Sequence, residues 1–131
     1  MQRREAMVWL ARLGFREEGL RGKLVLEHGN LAFDGDRGKL TLRIALSSIR
    51  HVRRVRGSPV IVVEYETAST RPAVALYFSQ PPPLPKPGAR VIPAARGRVK
   101  AIRWLGKENK AKREEVKGWV EALRGGATPS G

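Results

Sequence analysis

Alternation of apolar and polar residues with a period of two is the feature that most constrains how this chain can fold. It is clearest in KLTLRIAL, residues 39–46, where every even-numbered residue is apolar: Leu40, Leu42, Ile44 and Leu46. Successive side chains of a β-strand point to opposite faces of a sheet, so this segment buries one face and exposes the other. The same period recurs in the segments around it, and the chain is therefore predicted to be mainly β.

Turn-forming residues divide the alternating segments into short strands. They occur at HGN (28–30), DGDRG (34–38) and GSP (57–59), and Gly29 and Asn30 both tolerate the positive φ that a hairpin turn needs. These breaks predict the strands within residues 20–79, and RVKAIRWL, residues 98–105, is either a last strand or a short helix. Strands at such regular spacing favour a β-barrel or sandwich of about seven antiparallel strands.

Two segments with helical spacing flank the strands. Met7, Leu10 and Leu13 predict a short N-terminal helix within residues 1–14. Near the other end, residues 109–124 carry an apolar stripe at i, i+3, i+4 and i+7, formed by Val116, Trp119, Val120 and Leu123. A helix with one such stripe is suited to cap the open end of a barrel.

Residues 1–131 are predicted to form a single domain, because the length suits one core. The segment 80–97 is rich in proline, which cannot donate to a sheet ladder, so it is predicted to be a long loop. Residues 125–131 are predicted to be a flexible tail. No apolar run approaches the ~20 residues of a membrane-spanning helix and no signal-peptide pattern is present, so a cytoplasmic location without an integral membrane segment is expected.

Positive charge is the strongest functional signal. The sequence has 26 Lys and Arg against 12 Asp and Glu, which gives a formal net charge of +14. Such an imbalance fits a nucleic acid, an anionic membrane surface or an acidic protein as partner, and the alternative is a basic surface that is simply solvated.

Patterns typical of catalysis or metal binding are missing from the sequence. There is no cysteine and there are only two histidines, and the DGD of residues 34–36 lacks the other ligands of a calcium loop. GDRGKL does not have the spacing of a phosphate-binding loop. The protein is therefore expected not to be an enzyme and to need no cofactor and no metal.

Two parts of the sequence resemble one family. GKLVLEHGNLAF followed by LTLRIALSSIRHV, and the later EEVKGWVEAL, are similar to the first strands and the C-terminal helix of GRAM and other pleckstrin-homology-like domains. The resemblance covers roughly residues 20–124 and implies a non-enzymatic binding module with a barrel closed by a helix. It also implies a structural role for Trp119, as the residue that fills the barrel mouth, and Gly118 beside it would let the helix approach a neighbouring strand or the N-terminal helix closely.

Ligand sites of this family use basic residues near the first hairpin. The residues implied at matching places are Arg21, Lys23, Arg37, Lys39 and Arg43. They would bind acidic lipid headgroups or an acidic protein partner.

Nucleic acid is the alternative partner, because phosphate contacts need only a basic surface. Its candidate residues form three clusters: Arg50, Arg53, Arg54 and Arg56; Arg96, Arg98, Lys100 and Arg103; and Lys107 with Lys110. A third hypothesis is an adaptor that presents the Pro-rich segment or a sheet edge to another protein.

Overall fold

Seven antiparallel strands in one open sheet and one helix make up the described fold. The computed structural model describes residues 3–14, 19–80 and 110–125. The strands are β1 (Arg4–Arg12), β2 (Leu20–Glu27), β3 (Asn30–Gly35), β4 (Thr41–Ala45), β5 (Ile49–Arg54), β6 (Val60–Tyr65) and β7 (Ala73–Tyr77). Short 3-10 turns occupy Asp36–Gly38 and Leu46–Ser48. The helix, α1, spans 110–125.

The sheet consists of two meanders joined through its first strand. Its strand order is β4-β3-β2-β1-β7-β6-β5. β1 therefore pairs with β2 on one side and with β7 on the other, and Leu10 lies opposite both Leu20 and Leu76. This strand order places β4 and β5 at the two opposite edges of the sheet, although they are consecutive in the chain.

A three-residue connection between these two edge strands forces the sheet to curl. Six spacings of roughly 4.8 Å separate the first and last strands of a flat seven-stranded sheet, or roughly 29 Å. The four steps from Ala45 to Ile49 span at most roughly 14 Å. The edges must therefore approach each other, which gives the sheet a concave inner face.

That inner face carries the main core. Alternate residues of β1 to β4 point into it, such as Val8, Leu24 and Phe33, each at most 1% exposed. The predicted stripe of α1 lies in the same core, and Trp119 packs against Phe78 with ring centroids 5.9 Å apart. A smaller apolar cluster around Val60, Val62 and Ala75 lies on the outer face of β6 and β7.

The predicted N-terminal helix is wrong, because this segment is the strand β1. Val8 and Leu10 alternate toward the core, whereas Met7 and Leu13, which suggested helical spacing, are 49% and 45% exposed. A helix here would also leave the facing backbone groups of β2 and β7 without their ladder partners. Tertiary pairing therefore overrides the local apolar spacing.

The predicted closure into a barrel, or into a two-sheet sandwich, is also wrong, because the seven strands form one sheet and no ladder joins β4 to β5. Side chains instead occupy some of the edge carbonyls. The guanidinium of Arg124 in α1 donates to the carbonyl of Val52 at 3.0 and 3.1 Å, and the hydroxyl of Ser48 donates to the carbonyl of Ala45 at 2.7 Å. One carbonyl on each open edge thus obtains a side-chain partner without a further ladder.

The other predicted elements divide between the described and undescribed parts of the chain. α1 agrees with the predicted helix 109–124 to within one residue, and β2 to β7 lie within the predicted 20–79. The proposed strand 98–105 lies outside the described residues, as do the Pro-rich segment apart from Gln80 and the tail apart from Gly125. The seven described strands are β1 and the six strands within residues 20–79.

Gly118 lies beneath a side chain of β1. A Cβ atom at this position would be 2.8 Å from Nη1 of Arg4, whose guanidinium carbon lies 5.9 Å from the ring centroid of Trp119. The missing side chain therefore leaves room for Arg4 to cross the helix and reach the tryptophan ring.

Gly118→Ala should change the free energy of unfolding by less than about 0.5 kcal/mol. Alanine gains about 1 kcal/mol in a helix interior, and displacing Arg4 from Trp119 costs about 0.5–1 kcal/mol. In an Arg4→Ala background the same substitution should show the full gain of about 1 kcal/mol by urea denaturation. Equal effects in the two backgrounds would show that Arg4 and Gly118 are not coupled.

Gly22→Ala should be far more damaging than Gly118→Ala. Its Cβ would overlap the carbonyl oxygen of Asp34 and lie 2.6 Å from Cζ of the buried Phe33 ring, neither of which can move freely. Overpacking of this kind costs about 1–3 kcal/mol. Urea denaturation measures the free energy of unfolding of both variants. The added methyl group meets backbone and an aromatic ring in Gly22→Ala, and the flexible end of the Arg4 side chain in Gly118→Ala.

Candidate anion-binding site

Both edges of the sheet are free of acidic residues. Residues 37–63 contain no Asp or Glu, and they carry seven cations: Arg37, Lys39, Arg43, Arg50, Arg53, Arg54 and Arg56. This stretch runs from the β3–β4 turn through β4 and β5 and into the first four residues of β6. The sequence alone shows the run, but only the strand order shows that it forms the two edges.

Both cations of the inner strand β2, Arg21 and Lys23, are paired with acids. Nε of Arg21 lies 2.7 Å from Oδ2 of Asp36, and Nζ of Lys23 lies 2.7 Å from Oε1 of Glu5. The Arg21 pair ties β2 to the 3-10 turn after β3. Two of the five residues predicted at the first hairpin, Arg21 and Lys23, are thus already engaged by carboxylates.

We call the other three predicted residues the β4 cluster: Arg37, Lys39 and Arg43. All three are exposed, and none forms an ion pair within the described chain. Arg37 has a φ of 59°, in the left-handed region, and precedes Gly38 at 67°. Arg43 lies opposite Ala32 on the outer face of β4.

A second group, Arg53, Arg54 and Arg56, is named the β5 cluster. Arg53 is exposed on the outer face of β5 opposite Val62, and Arg56 is exposed in the turn that follows. Arg54 is half-buried; its Nε donates to the carbonyl of Ser58 at 3.1 Å, and its Nη2 is buried without a hydrogen-bond partner. Arg54 therefore offers less to a ligand than its two neighbours.

Arg50 differs from the β5 cluster because it forms an ion pair. Its Nη2 lies 2.8 Å from Oε2 of Glu66. The hydrogen bond from Arg50, and then its charge, lower the pKa of Glu66, and the same contact raises the pKa of Arg50. A hydrogen bond from Lys23 likewise lowers the pKa of Glu5.

The remaining predicted cations divide between α1 and the part of the chain that the structure does not describe. Lys110 is exposed at the first described residue of α1. The others lie outside the described residues: Arg96, Arg98, Lys100, Arg103 and Lys107. Sequence reasoning missed Arg124, whose guanidinium reaches Val52 beside Arg53, because 72 residues separate it from that carbonyl.

The crevice that the described residues form on the inner face is lined by apolar side chains. A narrow apolar crevice of about 180 Å³, including its opening to solvent, is lined entirely by aliphatic and aromatic side chains: Leu10, Leu24, Leu31, Phe33, Leu42, Ile44, Val74 and Leu76. Within residues 3–14, 19–80 and 110–125, no group of three or more His, Asp or Glu side chains is placed to hold a metal ion. No helix in this part of the chain is both long and apolar enough to cross a lipid bilayer.

The two acid–base pairs with shifted pKa values should make stability depend on acidity. Because the folded-state pKa values of Glu5 and Glu66 are below the ordinary value of 4.5, their contribution is fully present above about pH 4.5 and is lost as the pH falls through the lowered values. Glu5→Gln combined with Glu66→Gln should therefore flatten the fall in melting temperature between neutral pH and about pH 3.

Glu114→Gln combined with Glu121→Gln is the matched control, because these exposed carboxylates on α1 form no ion pair in the described chain. The control should keep the acid sensitivity of the parent protein. An unchanged acid profile in the Glu5 and Glu66 variant would show that neither pair contributes to stability.

Comparison with known proteins brings no further residue into this site. No protein-family model matches the chain, and no curated protein matches it.

Proposed function

We propose that this protein is a non-enzymatic binding module for an anionic surface, formed by acidic lipid headgroups or by an acidic protein partner. The β4 cluster is its main contact. Arg21 and Lys23, which the family resemblance adds to this site, serve the ligand less directly because each is bound to a carboxylate.

The observation that carries the proposal is the separation of charge across the sheet. The cations of the inner strand β2 are each paired with a carboxylate, whereas residues 37–63, which include both edge strands, contain seven cations and no acid. An exposed and uncompensated cation costs little in water and gains about 1 kcal/mol near an anionic lipid surface. The three residues of the β4 cluster are close along the chain, so one surface can engage them together.

Likeness to pleckstrin-homology-like domains is part of the same proposal. An antiparallel sheet of seven strands, a C-terminal helix and a buried tryptophan at position 119 are the elements that such a domain would need. They support the likeness, and the likeness in turn favours binding over catalysis.

Nucleic acid is the second candidate, and the β5 cluster favours it. Arg53 and Arg56 are exposed and unpaired within the described chain, and the planar guanidinium group suits bidentate contact with phosphate. Binding of this kind would weaken steeply with salt, because each phosphate contact releases counterions.

The test is a titration of the nuclease-treated protein with three probes. These are phosphatidylglycerol-containing vesicles, poly-glutamate, and short duplex and single-stranded oligonucleotides, each at low and high salt. The triple variant Arg37→Gln, Lys39→Gln and Arg43→Gln should weaken vesicle or poly-glutamate binding by roughly 10- to 100-fold at low salt, since each cation contributes up to about 1 kcal/mol.

The control variant removes the same charge from paired cations, with Arg3→Gln, Arg21→Gln and Arg71→Gln. Each of these arginines lies within 3.0 Å of a carboxylate oxygen, so the loss of affinity should be several-fold smaller. Equal losses in the two variants would mean that net charge alone attracts the ligand. Oligonucleotide binding that depends on Arg53 and Arg56 but not on the β4 cluster would replace the proposal with the second candidate.

A further inference from the structure

We propose that the open edge of β4 binds an acidic peptide in an extended conformation, as an eighth strand of the sheet. This inference rests on the proposed function and narrows its partner to an acidic protein segment. It is carried by three features that meet at β4: free backbone groups, an adjoining apolar crevice and unpaired cations.

The hydrogen-bond pattern shows which backbone groups face the open side. Gly35 donates its N–H to the carbonyl of Leu40, and Leu46 donates its N–H to the carbonyl of Gly29. In an antiparallel pair such hydrogen-bonded positions recur every second residue, so Leu42 and Ile44 also face β3. The N–H and C=O groups of Thr41 and Arg43, and those of Ala45, therefore point away from the sheet.

These groups are accessible to a partner. Thr41, Arg43 and Ala45 are exposed, and only the carbonyl of Ala45 has a hydrogen bond, from Ser48. The opposite edge is less available, because the guanidinium of Arg124 in α1 occupies the outward carbonyl of Val52. An unprotected edge is a template for strand addition.

An added strand would place alternate side chains against the apolar crevice. Leu42 and Ile44 of β4 line that crevice together with Leu31 and Phe33 of β3. Leu42 is the half-buried member of this set, so an inward-facing aliphatic side chain of the added strand would pack on it. The residues between them would project to the outer face, where Arg43 stands.

Charge selects an acidic peptide over a second copy of this chain. Arg43 lies in the middle of the edge, and Arg37 and Lys39 lie at its beginning. Two β4 edges brought together would oppose these cations with one another, which is destabilising. Carboxylates on the outer face of an added strand would instead be opposite Arg43 and near Lys39.

The probe is a soluble, capped peptide in which Glu and Val alternate, titrated into isotopically labelled protein and followed by amide chemical shifts. The amide protons of Thr41 and Arg43 should shift and become protected from exchange. Peptides that carry one N-methyl group at successive positions should alternate in affinity. Methylation on the side facing β4 should weaken binding by about tenfold or more, and methylation on the other side should have little effect.

Three variants separate backbone pairing from charge. Thr41→Pro removes one outward N–H and keeps every cation, and proline is tolerated where an edge N–H faces solvent; it should weaken binding about fivefold. Arg43→Gln keeps the backbone and should weaken binding roughly two- to fivefold. Arg53→Gln removes a charge from β5 and should leave binding unchanged.

Each alternative result counts against strand addition in a distinct way. Peptide binding that ignores the position of the N-methyl group would overturn this inference while leaving the anionic-surface proposal in place. Absence of binding to peptide, poly-glutamate and vesicles alike would remove both. Protection of Thr41 and Arg43 that rises with protein concentration in the absence of peptide would assign the edge to a second copy of the chain and overturn the inference.

Discussion

The three-residue connection from β4 to β5 is the constraint on which the rest of the structure depends. It joins the two strands that lie farthest apart in the sheet order, so the sheet has to curl until its edges are close. Curling gives the sheet an inner face that a single helix can cover, and Trp119 with its neighbours fills that face. A flat sheet with the same pairing would need a far longer connection and would leave its apolar residues facing water.

The same connection determines where uncompensated charge accumulates. Residues in the centre of the sheet have neighbours on both sides, so a cation such as Lys23 finds Glu5 across the ladder. Residues of an edge strand have a neighbour on one side only. Because the acid-free stretch 37–63 coincides with both edges and the link between them, its cations have few carboxylates within reach. Edge position and local composition act together here.

The sequence contains most of the information on the strands and the last helix, because side-chain alternation is a local property. β4 follows the alternation of residues 39–46, and α1 follows the stripe from Val116 to Leu123. The sequence predicts a helix at β1 because Met7, Leu10 and Leu13 mimic helical spacing, although only Leu10 is buried. What decides that segment is its pairing with β2 and with the distant β7, which no local pattern reveals.

The candidate site was predictable in composition but not in detail. The cations of the first hairpin were visible in the sequence, but the partners of Arg21 and Lys23 lie 15 and 18 residues away along the chain, at Asp36 and Glu5. Which acid lies beside each cation depends on the strand register. Lys39 and Arg43 looked equivalent to Arg21 and Lys23 in sequence, and only the three-dimensional pairing separates free cations from engaged ones.

The position of β1 between two meanders has a consequence for the order of folding. β2 to β4 and β5 to β7 each assemble through short turns, whereas the seam between β1 and β7 brings Trp9 to Tyr77 and Arg12 to Val74 through only four paired positions. Pairing β1 with β7 closes the long loop of chain between them. The entropy cost of that closure arises before the contacts of the seam can stabilise it. Sequence separation therefore favours early formation of the two meanders and late pairing of β1 with β7.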